Sequence, residues 1–165
     1  MNAPGHHIPR LIRTIAIVAL ASGTAWASER WEVLQAIHWV ENPRNSTHAG
    51  PLGELGPYQF RRSTWRAYSS RPFSYALQQR YSDEVAVQHY EWLKRGLQSA
   101  GLQPTPYNIA LAWNAGLDPV VNDRVPSSAC VYANQVNNLV ALLRNRSMAS
   151  APEPGLAGAA AAVPR

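Results

Sequence analysis

A mainly α-helical fold, in one domain of several helices with at most a small β-hairpin, is what three features of this sequence predict. Apolar residues recur at intervals of three and four through several segments, the pattern that lines one face of a helix. Those segments are punctuated by residues that start and stop helices, among them Ser28, Pro43, Gly101, the pair Thr105-Pro106 and Gly116. No segment alternates apolar and polar residues as a half-buried strand would.

Taken in order, Ser28 caps a helix reaching about Glu41, with Trp31, Leu34, Ile37 and His38 on one face. Pro43 ends it, because proline disfavours helical geometry in the residue before it. Residues 42–56 are rich in Asn, Ser, Thr, Gly and Pro and read as an irregular loop. The loop exceeds the usual connection length, which favours a functional segment, and any sheet is a small hairpin around Thr47 to Tyr58. Ser63–Ser70 and Tyr75–Arg80 are expected as short helices. A long one opens at Ser82, buries Ala86, Tyr90, Leu93 and Leu97, and stops before Gly101. Thr105 and Pro106 start the next, Tyr107 to Ala115, which is apolar nearly all round and so belongs in the middle of the fold. The last spans about Ser128 to Arg144, with Val131, Val136, Leu139, Val140 and Leu143 as its stripe.

The two ends differ from the middle. Arg10 and Arg13 precede an apolar run from Thr14 to Ala21, and Ala25-Trp26-Ala27 follows. That order is a secretory signal peptide over residues 1–27, cut after Ala27, and its apolar run is too short to span a bilayer. The expected location is therefore the periplasm or the exterior, with no integral membrane segment left after cleavage. Residues 147–165 are mostly Ala, Pro and Gly, offer little to bury, and read as a disordered tail. The folded domain is assigned to residues 28–146. Its lone Cys130 can form no intrachain disulfide and reads as a small buried residue.

The formal charge is +5, and without Arg10 and Arg13 thirteen basic side chains face ten acidic ones, leaving +3. A modest positive balance favours an anionic polymer. Export points away from nucleic acid and toward cell-wall material, and the sequence names no protein partner.

Chemistry concentrates in three places: Glu41 at a helix end, the turn Gly53-Glu54-Leu55-Gly56-Pro57-Tyr58-Gln59-Phe60, and Trp113-Asn114-Ala115-Gly116. An acid at a helix C-terminus meets the negative end of the dipole, which raises its pKa. A glycine-hinged turn carrying amide and phenol groups, with a distant Asn, suits a sugar-cleaving cleft. Cleavage needs a carboxyl that stays protonated near neutral pH, and burial supplies that. No metal or other cofactor is expected: His6 and His7 leave with the signal, His38 and Glu41 lack a second ligand pair, and His48 and His89 stand apart.

These residues resemble the lysozyme-like superfamily, in particular lytic transglycosylases and phage-type endolysins, over roughly Glu29 to Leu143. Transglycosylases carry Glu-Ser at the end of a first helix, then Gly-Leu-Met-Gln, then Ala-Tyr-Asn-Ala-Gly, then a helix with a tyrosine. The matching positions here are Glu41-Asn42, Gly56-Pro57-Tyr58-Gln59, Ala112-Trp113-Asn114-Ala115-Gly116 and Tyr132. Asn42, Pro57-Tyr58 and Trp113 depart from that pattern. Gly-Pro-Tyr-Gln-Phe followed by Thr64-Trp65 is closer to the Gly-Arg-Tyr-Gln-Phe and Thr-Trp of endolysins.

The resemblance implies a lysozyme-like domain that cleaves the glycan strand of peptidoglycan, with Glu41 as acid and base. Gln59 and Asn114 would position an N-acetyl group or orient Glu41, Tyr132 would place its hydroxyl on Glu41, and Tyr58 would stack on sugar. Trp65 could also stack, although its spacing reads as core. Hydrolases of this kind add a second carboxylate. Glu54 is the best placed, ahead of Asp83, Asp118 and Asp123. With no motif behind any of them, the residues lean to the transglycosylase route and an anhydro-muramyl product. A muramidase using Glu54, and a wall-binding or assembly protein that kept the fold without activity, are the alternatives.

Overall fold

The computed structural model describes residues 29–149 and is mainly α-helical, as the periodicity predicts. The signal-peptide segment, Ser28 and residues 150–165 lie outside the described residues. Helix α1 covers residues 29–41, α2 Arg62–Tyr68, α3 Gln79–Ser99, α4 Pro106–Ala115, α5 Leu117–Val121 and α6 Ser127–Ala149, with a 3-10 turn at Phe73–Leu77. None of the described helices is long and apolar enough to cross a membrane.

The core gathers one stripe from each long helix. Val33, Leu34, Ala36 and Ile37 of α1, Val85, Ala86, Tyr90, Leu93 and Leu97 of α3, and Ile109 to Ala112 of α4 are buried together. They meet Ala129, Tyr132, Ala133, Val136 and Val140 of α6, which packs along α4. Two expected core positions lie elsewhere. Trp31 is 44% exposed, because the α1 stripe runs through Val33, Leu34 and Ile37, and Trp31 lies on its flank near the Arg30 guanidinium. Val131 is 57% exposed, because the α6 stripe runs through Ala129, Tyr132, Val136 and Val140 at helical spacing.

Helix boundaries explain the other differences. Thr105 caps α4 as expected, its Oγ1 accepting from the Asn108 amide at 3.2 Å, with Pro106 in the first turn. Ser82 does not open α3. That helix starts at Gln79, directly after the 3-10 turn that replaces the expected Tyr75–Arg80 helix. Ser82 is fully buried within it, its amide bonded back to the Gln78 carbonyl. Helix α6 continues past Arg144 to Ala149. The Arg144 fork explains why that end is held. Its Nε donates to Glu32 at 2.8 Å and its Nη2 to Glu29 at 3.0 Å, tying α6 to the first turns of α1.

The loop after α1 carries no hairpin over Thr47–Tyr58. Its β-like contact is an isolated antiparallel bridge between Leu55 and Phe60, which encloses Gly56 to Gln59. Two features hold this turn. Asn42 is buried and donates through Nδ2 to the carbonyls of Ser46 at 2.9 Å and Gly56 at 3.2 Å, while its Oδ1 accepts from the Ser46 amide at 2.8 Å. Gly56 has φ +81°, and a Cβ there would lie 1.8 Å from the Ala76 carbonyl oxygen. Only glycine fits that approach.

Candidate active-site cleft

The last turn of α1 delivers Glu41 to one wall of a cleft of about 650 Å³. Behind it, the Tyr132 hydroxyl of α6 donates to Glu41 Oε1 at 2.8 Å, across 91 positions of sequence. Tyr132 belongs to the buried α6 stripe, so its phenol approaches from the core and leaves the cleft side of Glu41 open. Burial raises the Glu41 pKa above the ordinary carboxyl value. The Tyr132 hydrogen bond pulls it the other way, and the negative charge of Glu54 adds to the rise. Burial and the Glu41 charge push the Tyr132 hydroxyl well above the usual phenol range, so it remains a donor.

The opposite wall comes from the loop and its bridge. Glu54 Oε2 accepts the Leu52 amide at 2.9 Å, and its Oε1 lies 3.7 Å from Arg61 Nε. Gln59, at φ +45°, also lines the cleft, but its Nε2 donates to the Gly56 carbonyl at 3.0 Å. That carbonyl thus accepts from Asn42, from the Gln59 side chain and from the Gln59 amide at 3.1 Å. Gln59 secures the turn, and what it presents to the cleft is the remainder of its amide.

Tyr58 is not a stacking platform. It is 3% exposed, packed against His38, Phe60 and Trp113, and its hydroxyl donates to Asp83 at 2.7 Å. Burial, with the hydrogen bond to Asp83 and its charge, raises its pKa. Trp65 is core as its spacing indicates, fully buried with Nε1 on the Arg71 carbonyl at 2.9 Å. Asn114, on the last turn of α4, is exposed on the cleft wall, and among the described residues no partner occupies its amide. The sequence-derived set therefore divides. Glu41, Glu54, Gln59 and Asn114 line one cleft with the nearly buried Tyr58 at its base, while Tyr132 reaches it only through its hydrogen bond to Glu41.

No family model, curated protein or solved structure matches the chain. Its chemistry rests on its own geometry. Among the described residues no group of three or more His, Cys, Asp or Glu is placed to hold a metal ion. His38 bonds Asn45 at 2.7 Å instead.

Sequence reasoning missed the third wall. His89 and Trp92 of α3 line the cleft beside Trp113, and Leu52 and Arg61 line it from the loop side. His89 meets Trp113 edge-on at 4.8 Å, and its Nδ1 is 3.0 Å from the Tyr68 hydroxyl. Burial lowers its pKa to about 4, so the ring is neutral at pH 7. A signal was present. His89 and Trp92 are three residues apart on α3, so their rings are neighbours on one helix face, with His89 at the edge of the buried stripe and Trp92 outside it.

Proposed function

We propose that this chain cleaves the glycan strand of peptidoglycan, with Glu41 acting first as acid and then as base. One observation carries the reading. A half-buried carboxyl with a raised pKa faces an open cleft while a buried phenol holds it from behind. The resemblance of Glu41-Asn42, Gly56 to Gln59, Ala112 to Gly116 and Tyr132 to lytic transglycosylases supports it, and the signal-like N-terminus puts the substrate within reach in the cell envelope. Glu41 gives its proton to the bridging oxygen as the C1–O bond breaks. The carboxylate then takes the proton of the sugar's own hydroxyl as that oxygen bonds to C1, closing an anhydro ring without consuming water.

Glu54 supports a second route from the same cleft. It lies near enough to Glu41 to raise its pKa and could activate water for hydrolysis. Mass spectrometry of fragments released from purified peptidoglycan separates the two. Anhydro-muramyl ends support the transglycosylase route and reducing ends the hydrolytic one. Glu41→Gln should lower turnover about a thousandfold or more while leaving glycan affinity in place. If no fragment appears and the protein still co-sediments with the wall, it is a binding protein.

A further inference from the structure

The α3 wall of the cleft plays no part in the acid–base chemistry, yet it is built of aromatic rings. Trp92 is 44% exposed and lies on the wall of the cleft, so part of its indole is open to a ligand. Its plane is set by His89, stacked against it with ring centroids 5.9 Å apart and planes 11° from parallel. His89 is itself fixed by the edge of Trp113 and by Tyr68 at Nδ1, and its Nε2 has no protein partner among the described residues. A fixed indole beside a ring nitrogen is a platform with one polar contact. The negative face of an aromatic ring attracts the polarised C–H groups of a pyranose. A few placed polar groups along an apolar wall then orient the ligand.

We propose that Trp92 and His89 form a pyranose-binding subsite for an uncharged N-acetylated sugar of the glycan strand, Trp92 under the ring and His89 Nε2 on a ring substituent. This rests on the glycan-cleaving reading for its choice of ligand. The neutrality of His89 at pH 7 fits an uncharged ring rather than an anion. Next to Trp113 on α4, the exposed Asn114 amide offers a second hydrogen-bonding group in the same cleft.

The test is calorimetric titration of the full chain with an N-acetylglucosamine tetramer, in a Glu41→Gln background to prevent turnover. Trp92→Ala should weaken binding about tenfold or more, and Trp92→Phe should restore it to within about threefold, since the phenyl keeps the stack. Circular dichroism should be unchanged in both, because the indole is half in solvent. On peptidoglycan, Trp92→Ala alone should raise KM with kcat retained. Unchanged tetramer binding by Trp92→Ala, or no binding by the Glu41→Gln parent, overturns the subsite. The two readings fail separately. Tetramer binding weakened by Trp92→Ala without any released fragment keeps the subsite and removes cleavage. Released fragments with tetramer binding indifferent to Trp92 do the reverse.

Discussion

The two walls that meet at Glu41 are held by different physics. The helical wall of α1, α4 and α6 is set by buried apolar stripes, so Glu41 and Tyr132 meet although 91 positions separate them. The loop wall is mixed, with Tyr58 and Phe60 buried in the core. Leu52 is largely exposed, and the turn from Gly56 to Gln59 is held by hydrogen bonds converging on the Gly56 carbonyl and by that glycine's fit against Ala76. Apolar packing is spread over many contacts and tolerates the loss of one. A hydrogen-bonded turn concentrates its stability in a few residues and fails abruptly when one is changed. The proposed acid, Glu41, stands on the first kind of wall, while Glu54 and Gln59 belong to the second.

Breaking the loop wall at Gly56 should give the largest effect. Gly56→Ala places a methyl against the Ala76 carbonyl and strains a positive φ, so unfolding stability should fall by about 3 kcal/mol or more by denaturant titration. A loss under about 1 kcal/mol would mean that the loop yields as easily as packing does. On the helical wall, Tyr132→Phe removes one hydroxyl and no bulk. Turnover should drop about tenfold or more while the fold persists. Because that hydroxyl lowers the Glu41 pKa, its loss should move the basic limb of the pH–rate profile upward. A downward shift would contradict the geometry.

Glu41 itself sharpens the comparison through stability. Its folded pKa is raised above the unfolded value, so the stability associated with its neutral form is complete below the usual Glu range and is lost as pH rises through the folded pKa. A permanently neutral Glu41→Gln should match the parent in acid and melt higher at neutral pH, even as it loses activity. Equal melting at both pH values would show that the carboxyl is not strained by burial. The smallest effect belongs to Ser82, away from both walls. Its Oγ is buried with no partner among the described residues, so Ser82→Ala should raise stability by about 1 kcal/mol in a thermal melt.

Much of the fold was legible because helical periodicity and capping act locally. The α3 stripe, the Thr105 cap and the inward Trp65 could all be read within a turn or two of each residue. Ser82 and Val131 misled for the complementary reason. A serine ahead of a helical pattern is a cap only if the helix starts there, and a valine is core only if its face meets a neighbour. Tyr58 shows the same limit at the site: a phenol in a glycine turn points to ligand or to core according to what packs against it, here His38, Phe60 and Trp113 with Asp83 taking its hydroxyl. His89 and Trp92 stayed hidden because off-stripe rings read as surface until a second wall rises opposite them.

By itself the sequence determined the mainly helical architecture, the break after α1 and the residue types able to perform acid–base chemistry on a sugar, since these depend on neighbours along the chain. Tertiary structure decided which of those residues meet. Glu41 finds Tyr132, faces Glu54 and shares a cleft with Trp92 because packing of α4 along α6 and closure of the Gly56 turn bring distant segments together. Burial, which raises the Glu41 pKa, exists only once that packing is complete.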